Sequence, residues 1–194
     1  DSFLDKQVIS RSHSEYYLLA NRGKILDRNN NVLALDVRSF SVGVDLKNFK
    51  GNILNIKSLE DILGINEETI SELIKNKKTG FKEIKRHVSG TLKRDIENLE
   101  LEGVFFRENL RRSYPQKETS SHVVGITDID RKGIQGSELV FNNTLKGKQG
   151  KFTGIKGSGN KKIEGNRIEP QNGKDLFLTV DIRLQSIAFE ELSK

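Results

Sequence analysis

The 194-residue sequence has no cysteine, no methionine and no tryptophan, and only two prolines and three histidines. Without cysteine there is no disulfide scaffold, zinc ribbon, iron–sulfur cluster or thiol nucleophile. That absence leaves the compartment open, because many exported bacterial proteins also lack cysteine. His13, His87 and His122 are scattered along the chain, which argues against a histidine-rich metal site. No uncharged apolar run approaches the ~18 residues that a membrane span needs, and no signal peptide opens the sequence. Hydrophobic residues make up 34% and charged residues 31%, so much of the surface is wet.

What is present in excess is lysine, in one place. Lys+Arg 33 against Asp+Glu 27 gives a net charge of +6. Residues 146–162 (KGKQGKFTGIKGSGNKK) hold six lysines, five glycines and no acid, so they carry the whole excess. A protein that reads nucleic acid spreads its cations over a folded face with aromatics interleaved for stacking. Here Phe152 is the lone aromatic, among glycines that deny the segment a rigid frame. The stretch reads as a solvated, mobile hairpin or loop, a flexible basic arm and not a reader of bases. Lys146, Lys148, Lys151, Lys156, Lys161 and Lys162 are its candidate contacts to an anionic surface.

Phe3, Leu4, Val8 and Ile9 sit close to helical spacing, and no turn signal follows through Ser14, which predicts a short exposed helix or an extended arm. Residues 24–45 read as strands, with Asp27-Arg28-Asn29-Asn30-Asn31 as a hairpin turn, since Asx residues tolerate positive φ. Ser58 and Asp61 resemble a capping box ahead of Leu59, Ile62 and Leu63, with Gly64 as the stop. Asn66 is placed to cap a second helix through Ile70, Leu73 and Ile74, and Leu92, Ile96 and Leu99 suggest a third. Val104–Phe106 and Val123–Ile126 read as buried strands, Ser137–Leu145 as a short helix and Leu176–Val180 as a strand. Asp181 then caps a last helix carrying Leu184, Ile187, Ala188 and Leu192. The chain stops just after that helix forms, as expected of a piece of a longer protein. Strands near both ends with short helices between them predict an α+β fold.

The chemical motifs are weak. Ser158-Gly159-Asn160-Lys161 matches the S-x-x-K of serine acyl-enzymes, but it lies in the glycine-rich stretch and lacks the companion S-x-N and K-T-G elements. Asp128-Ile129-Asp130 faintly resembles a calcium loop, yet Lys132 and Leu139 stand where its further acids belong. Asn142-Asn143-Thr144 fits a glycosylation pattern that is frequent by chance, and no glycine cluster forms a nucleotide loop. No general acid–base pair, metal site or cofactor motif emerges.

A more specific pattern runs through the whole chain. Residues 22–34, RGKILDRNNNVLA, resemble the R-G-x-I-x-D-R-N-G-x-x-L-A signature that opens the non-catalytic N-terminal module of class B penicillin-binding proteins. In family order follow Arg112-Ser113-Tyr114-Pro115 (R-x-Y-P) and His122-Val123-Val124-Gly125, taken as the family's next strand. Then come Gly133-Ile134-Gln135-Gly136-Ser137-Glu138 (G-x-x-G-x-E) and Leu145–Gly150 (L-x-G-x-x-G, with Gly147 and Gly150). Gly173–Asp181 with Leu184-Gln185 resembles the entry into a transpeptidase domain. Asn30 replaces the usual glycine, a change that costs a few tenths to ~1 kcal/mol at positive φ. Residues 81–88 and the short middle region look most like the septal, cell-division member, with the elongation type next.

The resemblance implies an elongated pedestal or dimerisation module over 22–172, preceded by a juxtamembrane arm at 1–21. Residues 173–194 would be the entry strand and helix of a transpeptidase domain whose serine, lysine and K-T-G strand lie beyond Lys194. It implies a chain without catalysis or cofactor, on the periplasmic side of the inner membrane and anchored only by an N-terminal helix outside this sequence. The implied partners are its own transpeptidase domain, nearby peptidoglycan and division proteins including a membrane glycan polymerase, with no specific nucleic acid. Arg22, Gly23, Asp27, Arg28, Asn29, Arg112, Tyr114, Pro115, Gly125, Gly133, Gly136, Glu138, Gly147, Gly150, Asp181 and Gln185 carry the family motifs. A structural role is expected for them, with Arg22, Asp27, Arg28 and Glu138 placed to tie distant segments by ion pairs. The rivals are a basic polyanion-binding domain resting on 146–162 and a Ser–Lys hydrolase using Ser158.

Overall fold

A computed structural model describes residues 13–51, 53–66, 69–75, 80–155 and 164–192. The apolar segment at 3–9, together with Lys156, Ser158, Lys161 and Lys162, lies outside the described residues.

The fold is α+β, and its chain groups into two compact units. One comprises residues up to Asp36 and from Arg112 onward; the other is Val37–Arg111. The boundary falls within two long strands, β3 (Val32–Asp45) and β5 (Val104–Ser113).

In the first unit, β1 (His13–Leu18), β6 (Gly150–Ile155) and β7 (Glu164–Ile168) form an antiparallel sheet in the order β1-β6-β7. The middle of the basic stretch, expected as a mobile hairpin or loop, is a strand of an antiparallel pair with β7 and is held on its other side by β1. Lys151–Ile155 has a ladder partner on each side, and Tyr16 stacks on Phe152 with ring centroids 4.8 Å apart. Two strands and an aromatic stack outweigh the local looseness of the glycines. Of the short helix or extended arm expected at the start, the part from His13 on is extended, as the edge strand of this sheet.

The same unit holds β2 (Ile25–Leu26), which pairs antiparallel with the start of β3 and parallel with β8 (Leu176–Phe177). Around them pack α4 (Lys117–Val124), α5 (Gly136–Val140), α6 (Asn142–Leu145) and α7 (Ile182–Leu192). Its core is Ile25, Leu33, Ala34, Val124, Leu145 and Ile182. Residues 123–126, expected as a strand, are instead the last turn of α4 and its exit. Val124 is fully buried as a helix residue, and Gly125 caps the helix at φ 76°. A short apolar run does not distinguish strand from helix, and packing decided it. The single helix expected over 137–145 is two short ones meeting at Phe141.

The second unit sets α1 (Ile53–Leu63), α2 (Thr69–Lys75) and α3 (Gly90–Glu97) beside β4 (Phe81–Val88), which runs antiparallel to β3. Its core is Val42, Ile56, Leu59, Leu63, Ile70, Val88 and Ile96. Ser58 does not cap α1, because the helix begins a full turn earlier. Its hydroxyl donates to the Leu54 carbonyl, 3.0 Å away, one turn back. The cap assigned to Asn66 adjoins residues 67–68, outside the described residues. Gly64 ends α1 at φ 57°, and Ser89 caps α3 by accepting from the Leu92 N–H. Among the described residues no helix is long and apolar enough to cross a membrane.

Candidate functional site

The charged residues of the motifs converge inside the first unit. Short α5 buries Glu138 completely and aims its carboxylate at two arginines. Arg22, just before β2, donates from Nε to Glu138 Oε2 at 2.7 Å, from Nη2 to the Glu138 carbonyl and from Nη1 to Asn142 Oδ1. Arg112, near the end of β5, donates from Nε to Glu138 Oε1 at 2.7 Å and from Nη2 to the Gly23 carbonyl at 2.8 Å. Asp36 of β3 joins them: it accepts from the Arg22 backbone N–H, from Arg112 Nη1 and from Arg131 Nη1. The side chains of Arg22, Arg112, Asp36 and Glu138 are at most 2% exposed. The phenol of Tyr114, which follows β5, accepts from the Thr127 N–H at 3.0 Å and reaches Glu138 Oε1 at 3.5 Å. Burial raises its pKa above the ordinary value, against the hydrogen bonding at Thr127; the Glu138 charge adds to the rise.

A second knot lies at the 27–31 turn. Asn30 takes φ 65°, the left-handed geometry expected of the Asx run. Asp27, fully buried, accepts from the N–H groups of Asn29 and Asn31 and from Asn31 Nδ2, and caps α7 by accepting from the Ile182 N–H at 3.2 Å. Among the described residues it makes no ion pair; Arg28 instead donates to the Thr179 carbonyl. Asn29 Nδ2 donates to Asp181 at 2.8 Å, and hydrogen bonds from Arg183 and Asn29 hold the Asp181 carboxyl well below the usual range.

Burial alone would raise the Asp27 pKa, but the donors from Asn31, Ile182 and Asn29 outweigh it and the net shift is down. A depressed carboxyl contributes stability that is present above the unfolded value, about 3.9 for aspartate, and is lost as pH falls through the folded value. The melting-temperature gap between the wild type and Asp27→Asn is therefore expected to be constant from pH 7 to about 5 and to shrink in more acidic buffer. A gap that stays constant through the acid range would remove Asp27 from the acid response.

The remaining motif residues line close approaches. Pro115 starts the turn into α4 and is exposed. A Cβ on Gly23 would lie 1.9 Å from the Lys174 carbonyl oxygen, on Gly133 1.9 Å from that of Glu138, and on Gly150 2.3 Å from that of Ile168. Gly147 faces the Gln171 carbonyl, and Gly136 opens α5 against Gly125. Gln185 of α7 buries an Oε1 with no hydrogen-bond partner among the described residues. Of the lysines, Lys146 and Lys148 are exposed and Lys151 pairs with Glu15 at 3.0 Å. The sequence reading missed Asp36, Arg131 and Asn142. A lone acid after Val32-Leu33-Ala34-Leu35 was the available signal for Asp36.

The dimerisation-domain profile of the penicillin-binding proteins matches residues 17–178, which contain the whole ion-pair knot. The chain belongs to the penicillin-binding protein dimerisation-domain family. It is 32% identical over 205 residues to the probable peptidoglycan D,D-transpeptidase PenA of Neisseria gonorrhoeae, covering all of this chain and 34% of PenA. It is also 32% identical over 197 residues to the peptidoglycan D,D-transpeptidase FtsI of Escherichia coli K12, covering 98% of this chain and 34% of FtsI. The complex between penicillin-binding protein PBP2 and MreC from Helicobacter pylori shares the fold. The likeness has a TM-score of 0.69 at 20% identity, over 93% of this chain and 38% of that one. This dimerisation-family chain spans about a third of the length of its curated relatives.

Proposed function

We propose that the chain is the non-catalytic, periplasmic pedestal of a septal peptidoglycan D,D-transpeptidase. In the parent protein it carries the acylating domain, follows a membrane anchor and meets division proteins, among them a membrane glycan polymerase. Residues 22–172 form the pedestal proper, and 173–194 lead into the catalytic domain. The observation that carries this reading is how the motif's polar groups are used. Arg22, Arg112, Glu138 and Asp27 are buried and bonded to other parts of the same unit, which is architecture and not a reactive centre. The septal assignment is supported by the likeness to FtsI along 98% of the chain and by the resemblance at residues 81–88.

The test separates chemistry from partnership in the full-length protein. Lys57, Lys82 and Arg107 are exposed, and reversing such charges moves stability by less than ~0.5 kcal/mol. In a scan of surface reversals that includes Lys57→Glu, Lys82→Glu and Arg107→Glu, labelled-penicillin acylation in detergent is expected to stay at the wild-type level. At least one variant is expected to lose recruitment to the division site. A scan in which the two readouts never separate would reduce the module to a spacer. A fluorescent fusion found along the lateral wall and not at midcell would reassign it to the elongation type.

A further inference from the structure

The ion-pair knot is not neutral. Among the described residues the guanidiniums of Arg22, Arg112 and Arg131 form ion pairs with Asp36 and Glu138, three cations to two carboxylates. The third guanidinium, Arg131, is the outermost, with its side chain 15% exposed. Its backbone sits at φ 63° in the hairpin joining the Thr127–Gly133 bridge. Its Nη1 is held by the Ala20 carbonyl and by Asp36, whereas Nε and Nη2 have no partner among the described residues. A guanidinium fixed along one edge with donors left on the other is pre-organised for a carboxylate or phosphate.

That guanidinium lines an open cleft of about 600 Å³ in the first unit. Lys132, Lys146 and Lys148 line it too, and their ammonium groups make no ion pair among the described residues. The backbone beneath them is tied down. Lys148 exchanges hydrogen bonds with Gln171 at 2.7 and 2.8 Å, Lys146 N–H donates to the Asn142 carbonyl, and Lys132 N–H to Asp128 Oδ1. Two acids, Asp128 and Asp130, also line the cleft, which disfavours a long continuous polyanion such as nucleic acid. Ala20 is the one apolar side chain in the lining, so the broad hydrocarbon rim of an interfacial membrane contact is missing.

We propose that this cleft binds a single compact oxyanion, a carboxylate or phosphate group on a soluble ligand, with Arg131 contacting it directly and Lys132, Lys146 and Lys148 around it. The site is independent of the pedestal reading and divides the basic run, since Lys151 is spent on Glu15 in β1.

The experiment titrates the isotope-labelled 194-residue chain with sodium pyrophosphate and, separately, with citrate, following backbone amide shifts. Saturable shifts are expected at Arg131, Lys132, Gly147 and Lys148, with Kd below about 10 mM for at least one probe. Tighter binding of citrate would mark a carboxylate site, and tighter binding of pyrophosphate a phosphate site. The triple variant Lys132→Gln, Lys146→Gln, Lys148→Gln is expected to weaken binding at least about tenfold at an unchanged melting temperature, because the three ammonium groups make no ion pair among the described residues. Lys151→Gln is expected to bind like the wild type. Shifts that do not saturate, an equal loss on Lys151→Gln, or binding to phosphatidylglycerol vesicles but to neither soluble probe would each overturn the proposal.

Discussion

Glu138→Ala is expected to be the most damaging single substitution in the first unit, lowering its stability by about 3–5 kcal/mol. The loss comes from what remains. Arg22 and Arg112 would stay buried at 3% and 7% exposure; Arg112 would keep Asp36, which already serves Arg131, and the Arg22 guanidinium would keep no carboxylate among the described residues. Breaking a buried pair from one side costs far more than the pair contributes net, because an uncompensated charge stays out of water. Against a typical total of about 5–15 kcal/mol, that is a large share. Glu138→Gln keeps the shape and removes the charge, so it is expected to fall between wild type and alanine. Denaturant unfolding, together with hydrogen exchange at the Gly23 N–H, which donates to the Leu145 carbonyl beside the knot, reads the effect. Glu108→Ala, an exposed acid, is the control and is expected to stay within ~0.5 kcal/mol. A Glu138→Ala variant as stable as that control would mean the knot is not what holds these segments together.

How much of this was legible depended on how far each residue acts along the chain. The Asp27–Asn31 turn was readable because its bonds are local: Asp27 accepts from residues two and four positions on. The α-helical exit at Val123–Gly125 was not, since two valines favour a strand locally and the burial of Val124 in the core goes with a helix. The strand character of Lys151–Ile155 was partly hidden for the same reason, because one of its two partners, β1, lies more than a hundred residues earlier. Arg22 and Glu138 could be singled out through the family signature alone. Asp36 and Arg131 belong to the same network but fall outside the motifs quoted, and the bond between them spans 95 positions. Charge balance inside the unit is a property of the assembled fold, which is why the unpaired edge of Arg131 has no counterpart in the linear pattern.

Gly125→Ala is the second large expected effect, and it tests the packing beneath the knot without touching a charge. Gly125 ends α4 at φ 76° and ψ −161°, a region open to almost no residue but glycine. An alanine Cβ there would also lie 1.9 Å from the Gln135 carbonyl oxygen and 2.7 Å from the Gly136 nitrogen. Both neighbours are backbone, and Gly136 opens the helix that carries Glu138, so relief of the clash would displace the carboxylate from its arginines. The conformation alone costs about 1–3 kcal/mol, and the overlap adds to that. Gly64→Ala separates the two contributions. It has a comparable φ of 57°, but the nearest neighbour of its Cβ among the described residues would be the flexible end of Lys85 at 3.7 Å, so it is expected to show the backbone cost without the clash. Gly90→Ala, in ordinary helical geometry with 3.9 Å to Phe40, is expected to be neutral or slightly stabilising. The predicted order of melting temperatures is therefore Gly90→Ala at or above wild type, then Gly64→Ala, then Gly125→Ala. If Gly125→Ala melted with Gly64→Ala, the close approach of α4 to α5 would not be what positions Glu138.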